Sequence, residues 1–206
     1  LRATGSGNIG ATNVGRSLGR SWGVLVYVLD ASKGAIPVLV TGQMAGIVGV
    51  APTALPAGAL WWWLAVAASA VLGHMYTPFA GMRGGKGVAT GSGALAAIYP
   101  VLTIPVIVAV VAWATALAIT RMMSVGGMIA GVTVPVALVT CTLLARSEGT
   151  LIWESLEPVV PALVVSITIA VLVIWRHRSN LSRIRAGTEP RVSTGRAPSA
   201  SGSKAR

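Results

Sequence analysis

Long apolar runs separated by short polar breaks set the pattern of this chain. The first 20 residues, LRATGSGNIGATNVGRSLGR, are polar and glycine-rich and carry Arg2, Arg16 and Arg20. An apolar run follows from about Trp22 to Val50, interrupted by Asp30, Lys33 and Pro37. A Pro/Gly turn over residues 51–58 leads into a second run, Ala59–Met75. Val88–Tyr99 reads as a short helix stopped by Pro100, below the roughly 20 helical residues that cross a hydrocarbon core. Val101–Thr120, Val125–Ala145 and Val159–Trp175 bring the apolar segments to six. The pattern predicts an all-α polytopic membrane protein over residues 1–185. The remainder, residues 186–206, is basic and rich in Ser, Gly and Ala, a composition expected to be disordered.

Composition agrees. The 206 residues are 54% hydrophobic and 10% charged, where a soluble domain has about a quarter of its residues charged. A net charge of +11 suggests nucleic acid in other contexts. Here the basic residues lie in the short breaks and the tail, so membrane orientation explains them and no nucleic-acid partner is expected. With residues 1–20 in the cytoplasm and all six segments crossing, the short one included, Arg2, Arg16, Arg20, Arg83, Lys86, Arg121 and the tail's basic residues fall inside. Arg146, Glu148, Glu154 and Glu157 fall outside. Trp61, Trp62, Trp63 and Trp153 are then expected near the outer interface, and Trp22, Tyr76 and Trp175 near the inner one. Trp113 falls within a span. The single cysteine, Cys141, lies in an apolar run and provides neither a disulfide nor a metal cluster.

On this topology four polar stretches converge on one face: the N-terminal residues, the break GMRGGKG at 81–87, the turn at Ser124, and RHRSN at 176–180. Four glycines in the seven residues 81–87 permit a nest of inward-turned N–H groups around an anion, with Lys86 beside it and a helix N-terminus behind it. It is not a P-loop, because Ala80 and Gly87 stand where that motif needs glycine and a hydroxyl. Asp30 and Lys33 share a helix face and read as a structural ion pair, with Lys33 also able to reach the converging face. His74 reads as a hydrogen-bonding residue at a span end, and His177 as a base or a donor to phosphate.

Absences exclude other chemistries. Asp30 is the only aspartate, so no aspartate-held metal site is present, and neither metal nor cofactor is expected. The basic face shows almost no acids with which to build a carboxylate pair. What remains is a face rich in positive charge and N–H donors, suited to phosphates. A small anion or phosphate transporter is the rival reading, but it would need polar residues distributed across the membrane.

The motifs GSGNIGATNVGRSLG, DASKG, GHMYTPFAGMRGGKGVATG, the turn at Arg121–Ser124 and RHRSNLSRIRAGTE occur in that order. Together they resemble the bacterial acyl-phosphate:glycerol-3-phosphate acyltransferases, the PlsY family, over about residues 5–189. The resemblance implies a multi-pass enzyme of the bacterial inner membrane with its active site on the cytoplasmic face. Its implied reaction is acyl transfer from acyl phosphate to the 1-hydroxyl of glycerol 3-phosphate, giving lysophosphatidic acid. A soluble enzyme that makes the acyl phosphate is the implied partner, in transient contact. The family has seven helices, so a first helix is expected upstream of the six present. Ile9 and Gly127 stand where the family typically has proline and serine. Carried onto this chain, the resemblance assigns the reaction to Lys86, Arg16, Ser6 and His177. It assigns substrate binding to Asn8, Thr12, Asn13, Lys33, Gly84, Gly85, Gly87, Ser124 and Asn180.

Overall fold

A computed structural model describes residues 1–5 and 7–192. Helices account for the architecture of these residues, which include no strand. They are α1 (Ala11–Leu18), α2 (Arg20–Met44), α3 (Ala59–Met75), α4 (Val88–Ala96), α5 (Thr103–Thr120), α6 (Met123–Leu144), α7 (Ile152–Leu156), α8 (Val160–Arg176) and α9 (Arg178–Arg185). Among the described residues, five stretches are long and apolar enough to cross a membrane: 20–44, 59–80, 103–120, 123–144 and 152–176.

The remaining apolar segment, Val88–Tyr99, is resolved as α4 and the turns after it. Nine helical residues rise only about 14 Å. The segment nevertheless joins the two ends of the bundle. It starts beside the last turn of α3, and at its far end Gly49 N–H, beyond α2, donates to Tyr99 O at 3.0 Å. Short, small residues make its seat possible. A Cβ on Gly93 would stand 2.0 Å from Ala31 O, and one on Gly34 would stand 2.3 Å from Thr90 O. Helix α4 can therefore lie backbone to backbone on α2.

Turns follow backbone chemistry. Gly19, at φ +105°, breaks the helix between α1 and α2 and folds them against one another, where Gly15 meets Gly23. Arg121 takes the left-handed conformation at φ +60° and closes α5 on α6, which pack along one another. Within that interface Trp113 packs on Gly126, whose Cβ would lie 2.8 Å from the indole. That contact accounts for a tryptophan in mid-span.

One expectation about the aromatic residues needs correction. Trp61 and Trp62 are exposed, but Trp63 is fully buried and its indole N–H donates to Val38 O at 2.8 Å. Successive helical residues point about 100° apart, so three tryptophans in a row cannot share one lipid-facing belt. Trp63 instead fills the core with Val38, Leu64, Ile98 and Leu102. A second correction concerns the tail. Residues 186–192 have a fixed place: Val192 N–H donates to Arg121 O at 2.7 Å, and Glu189 is buried. Residues 193–206 lie outside the described residues.

Candidate active site

The site is built at the end of the bundle where α3, α4, α6 and α8 begin or finish. The orphan carbonyls at the C-terminus of α3 take part in its construction. Gly84 N–H donates to Met75 O at 3.1 Å and Gly85 N–H to His74 O at 3.2 Å. On the other side of the loop Arg176 donates to Gly84 O at 2.8 Å and to Gly85 O at 3.0 Å, while its guanidinium lies over the Tyr76 ring. The expected nest is therefore not formed by Gly84 and Gly85, whose N–H groups are spent on α3. Their missing side chains serve close approach instead. Gly87, at φ +83°, caps α4 without a side-chain bond, so the positive end of that helix opens beside Lys86.

From this strap the Lys86 ammonium reaches Asn180 Oδ1 at 2.5 Å. Asn180 Nδ2 donates in turn to Glu189 Oε1 at 2.6 Å. Ser124 Oγ donates to the same oxygen at 2.6 Å, and Arg183 Nε to Glu189 Oε2 at 2.8 Å. Burial alone would raise the Glu189 pKa; the bonds from Ser124, Asn180 and Arg183 outweigh it and hold the carboxyl below its ordinary value. One buried acid thus organises α6, α9 and the segment after α9.

The surrounding charges tune the two other titratable groups. Burial, with Arg183, Arg16 and Arg176 nearby, lowers the Lys86 pKa to about 8 against the pull of Glu189. Burial and the Lys86 ammonium bring His177 down to about 4. His177 is therefore neutral at pH 7. Its Nδ1 lies 2.8 Å from Val173 O, and because a carbonyl only accepts, Nδ1 carries the proton. Nε2 is left with a lone pair beside Gly127.

A family model described as glycerol-3-phosphate acyltransferase matches residues 1–187. The chain belongs to the glycerol-3-phosphate acyltransferase family. A relative of that name from Geobacter sulfurreducens is 40% identical over 191 residues, covering 93% of this chain and 83% of its own. The crystal structure of PlsY, an integral membrane glycerol 3-phosphate acyltransferase, in its glycerol 3-phosphate form superposes with a TM-score of 0.72 at 34% identity, covering 94% of this chain and 82% of that one. Its lysophosphatidic acid form gives 0.68 at 33% identity, covering 92% and 82%. The membrane-enzyme fold expected from the motifs is thereby shown.

Within this glycerol-3-phosphate acyltransferase, Lys86, Gly84, Gly85, Gly87, Ser124, His177 and Asn180 come together. Arg16 joins them at their edge, donating to Pro190 O at 3.4 Å. The other N-terminal candidates have different company. Asn8 accepts from Gly10 N–H at 2.8 Å within its own turn. Asn13 is buried and donates to Leu1 O and Thr4 O, both at 3.1 Å, pinning the first residues. Thr12 is exposed on α1. Lys33 pairs with Asp30 at 2.5 Å in α2, and Asp30 lies 3.5 Å from His74. Ser6 lies outside the described residues.

Sequence reasoning placed Arg176 in a converging stretch but gave no role to it, to Arg183 or to Glu189. Glu189 had a signal: it is the only acid in the basic stretch from Arg176 to the end of the chain. A lone carboxylate among so many cations becomes a hub where the segment folds back on the bundle, which its composition argued against. Arg176 and Arg183 had no such mark among their arginine neighbours.

Proposed function

We propose that this acyltransferase moves a fatty acyl group from acyl phosphate to the 1-hydroxyl of glycerol 3-phosphate, yielding 1-acyl-glycerol-3-phosphate and phosphate. The observation that carries the reading is the character of the Lys86 site. It gathers an ammonium, three guanidinium groups and a helix N-terminus, and its one acid is fully engaged in hydrogen bonds. Such a site orients two phosphate-bearing substrates and offers no strong base of its own.

An acyl phosphate suits it. The substrate hydroxyl oxygen bonds to the acyl carbon, the bond from that carbon to the phosphate oxygen breaks, and phosphate departs without needing an acid. The hydroxyl proton passes to a phosphate oxygen. Lys86, Arg16 and the start of α4 at Gly87 would hold the phosphate of the donor and the charge that grows on it. Asn180 and His177 Nε2 would position glycerol 3-phosphate, the neutral imidazole accepting a hydrogen bond rather than a proton. Ser124 acts through Glu189. The charge bias supports a cytoplasmic position for this end of the bundle, in the bacterial inner membrane, where a soluble enzyme would deliver the donor.

The test offers radiolabelled glycerol 3-phosphate to the purified protein in lipid, with acyl phosphate or acyl-CoA in parallel. Labelled lysophosphatidic acid from acyl phosphate alone is the expected result. Equal product from acyl-CoA would overturn the donor assignment.

A further inference from the structure

The last turn of α3 forms a platform on which the glycine strap lies, and each glycine meets a different part of it. A Cβ on Gly84 would stand 1.9 Å from His74 O. One on Gly85 would stand 2.0 Å from His74 Nε2, and one on Gly87 2.3 Å from Met75 Cε. Met75 is fully buried and the His74 side chain is 6% exposed, so neither can yield to solvent. The His74 ring is held in turn from α2, where Asp30 Oδ1 lies 3.5 Å from Nδ1 and is itself tied to Lys33. A line of contacts therefore runs from Asp30 to His74 to Gly85 to the next residue, Lys86, whose ammonium reaches across to Asn180. Neither His74 nor Asp30 bonds to Asn180, Ser124 or Glu189.

We propose that His74, held by Asp30, is a positioning residue for acyl transfer, fixing Gly85 and through it the direction of the Lys86 ammonium. A ring in van der Waals contact with a backbone that lacks Cβ defines the height and tilt of the strap more sharply than a flexible side chain would. Arg176 clamps the strap from the opposite side through its carbonyls. Removing the ring leaves the strap attached by its hydrogen bonds but free to sink, and Lys86 then loses its line to Asn180. This inference rests on the proposed reaction for its kinetic consequence, though not for its structural one.

Two readouts separate them. The chain has three lysines, Lys33, Lys86 and Lys204, so reductive 13C-methylation gives a spectrum assignable with a Lys86→Arg variant. In the unaltered protein Lys86 should titrate near 8. In His74→Ala the Lys86 signal should move toward the ordinary lysine value, with Asp30→Asn moving it part of the way. This readout needs no turnover. The second is a double-mutant cycle on glycerol 3-phosphate turnover. His74→Ala should cost roughly tenfold or more in kcat/KM when Lys86 is present and about twofold or less in the Lys86→Ala background. A Lys86 titration unchanged by His74→Ala, or an equal loss in both backgrounds, overturns the positioning role. A shifted titration in a protein that turns over no glycerol 3-phosphate upholds the positioning and overturns the reaction.

Discussion

At the scale of residues, Glu189 and His177 show how one buried site gives two groups opposite tasks. Glu189 accepts three side-chain hydrogen bonds, so its carboxylate is stabilised as an anion. Its pKa is lowered on folding, so its contribution is complete above the ordinary carboxylate range and disappears as pH falls through the folded value. Glu189→Gln is expected to destabilise the protein by about 2 kcal/mol at neutral pH, with the gap to the unaltered protein closing in acid; denaturation in detergent across pH checks it. A constant gap would show that charge is not what Glu189 contributes. His177, near 4, cannot serve as a base that titrates around neutrality. His177→Ala should lower kcat/KM roughly tenfold, mainly through the KM for glycerol 3-phosphate. A limb in the pH–rate profile at about 6–7 that vanishes in the variant would restore histidine as the base.

At the scale of elements, the apolar runs match most of the long helices closely, although the first, read from about Trp22 to Val50, is helical over Arg20–Met44. Ala59–Met75 was read with the bounds it has, and Thr103–Thr120 and Met123–Leu144 differ by two residues or fewer at each end. Elements held by polar contacts were not legible. Helix α9 and residues 186–192 have almost no apolar face, and what fixes them is Glu189 with Ser124, Asn180 and Arg183. The glycines at 84 and 85 were expected to turn N–H groups toward an anion and instead lie against α3, because sequence shows where a backbone can come close and not which way its N–H groups point. Gly93 tests the close approach of α4 to α2. Gly93→Ala puts a methyl against the Ala31 carbonyl, and neither backbone can withdraw. A loss of about 1–3 kcal/mol is expected from the resulting overpacking, read as a lower melting temperature in detergent; an unchanged one would mean that the two helices can part without cost.

At the scale of the whole molecule, the two ends of the bundle differ in charge, and the proposed reaction belongs to the basic one. Orientation is testable directly. In a Cys141→Ser background, a cysteine replacing Arg191 should react with an impermeant maleimide only in inverted vesicles, and one replacing Arg146 only in right-side-out ones. Both reacting from the same side would refute the crossing pattern. The central claim is narrower: acyl transfer depends on the Lys86 ammonium. The measurement that tests it most directly is turnover of glycerol 3-phosphate with acyl phosphate by Lys86→Ala beside the unaltered protein at pH 7. A fall of roughly a hundredfold in kcat/KM with the fold intact is predicted, as for the loss of one preorganised charge-stabilising donor. Near-normal turnover would contradict the account.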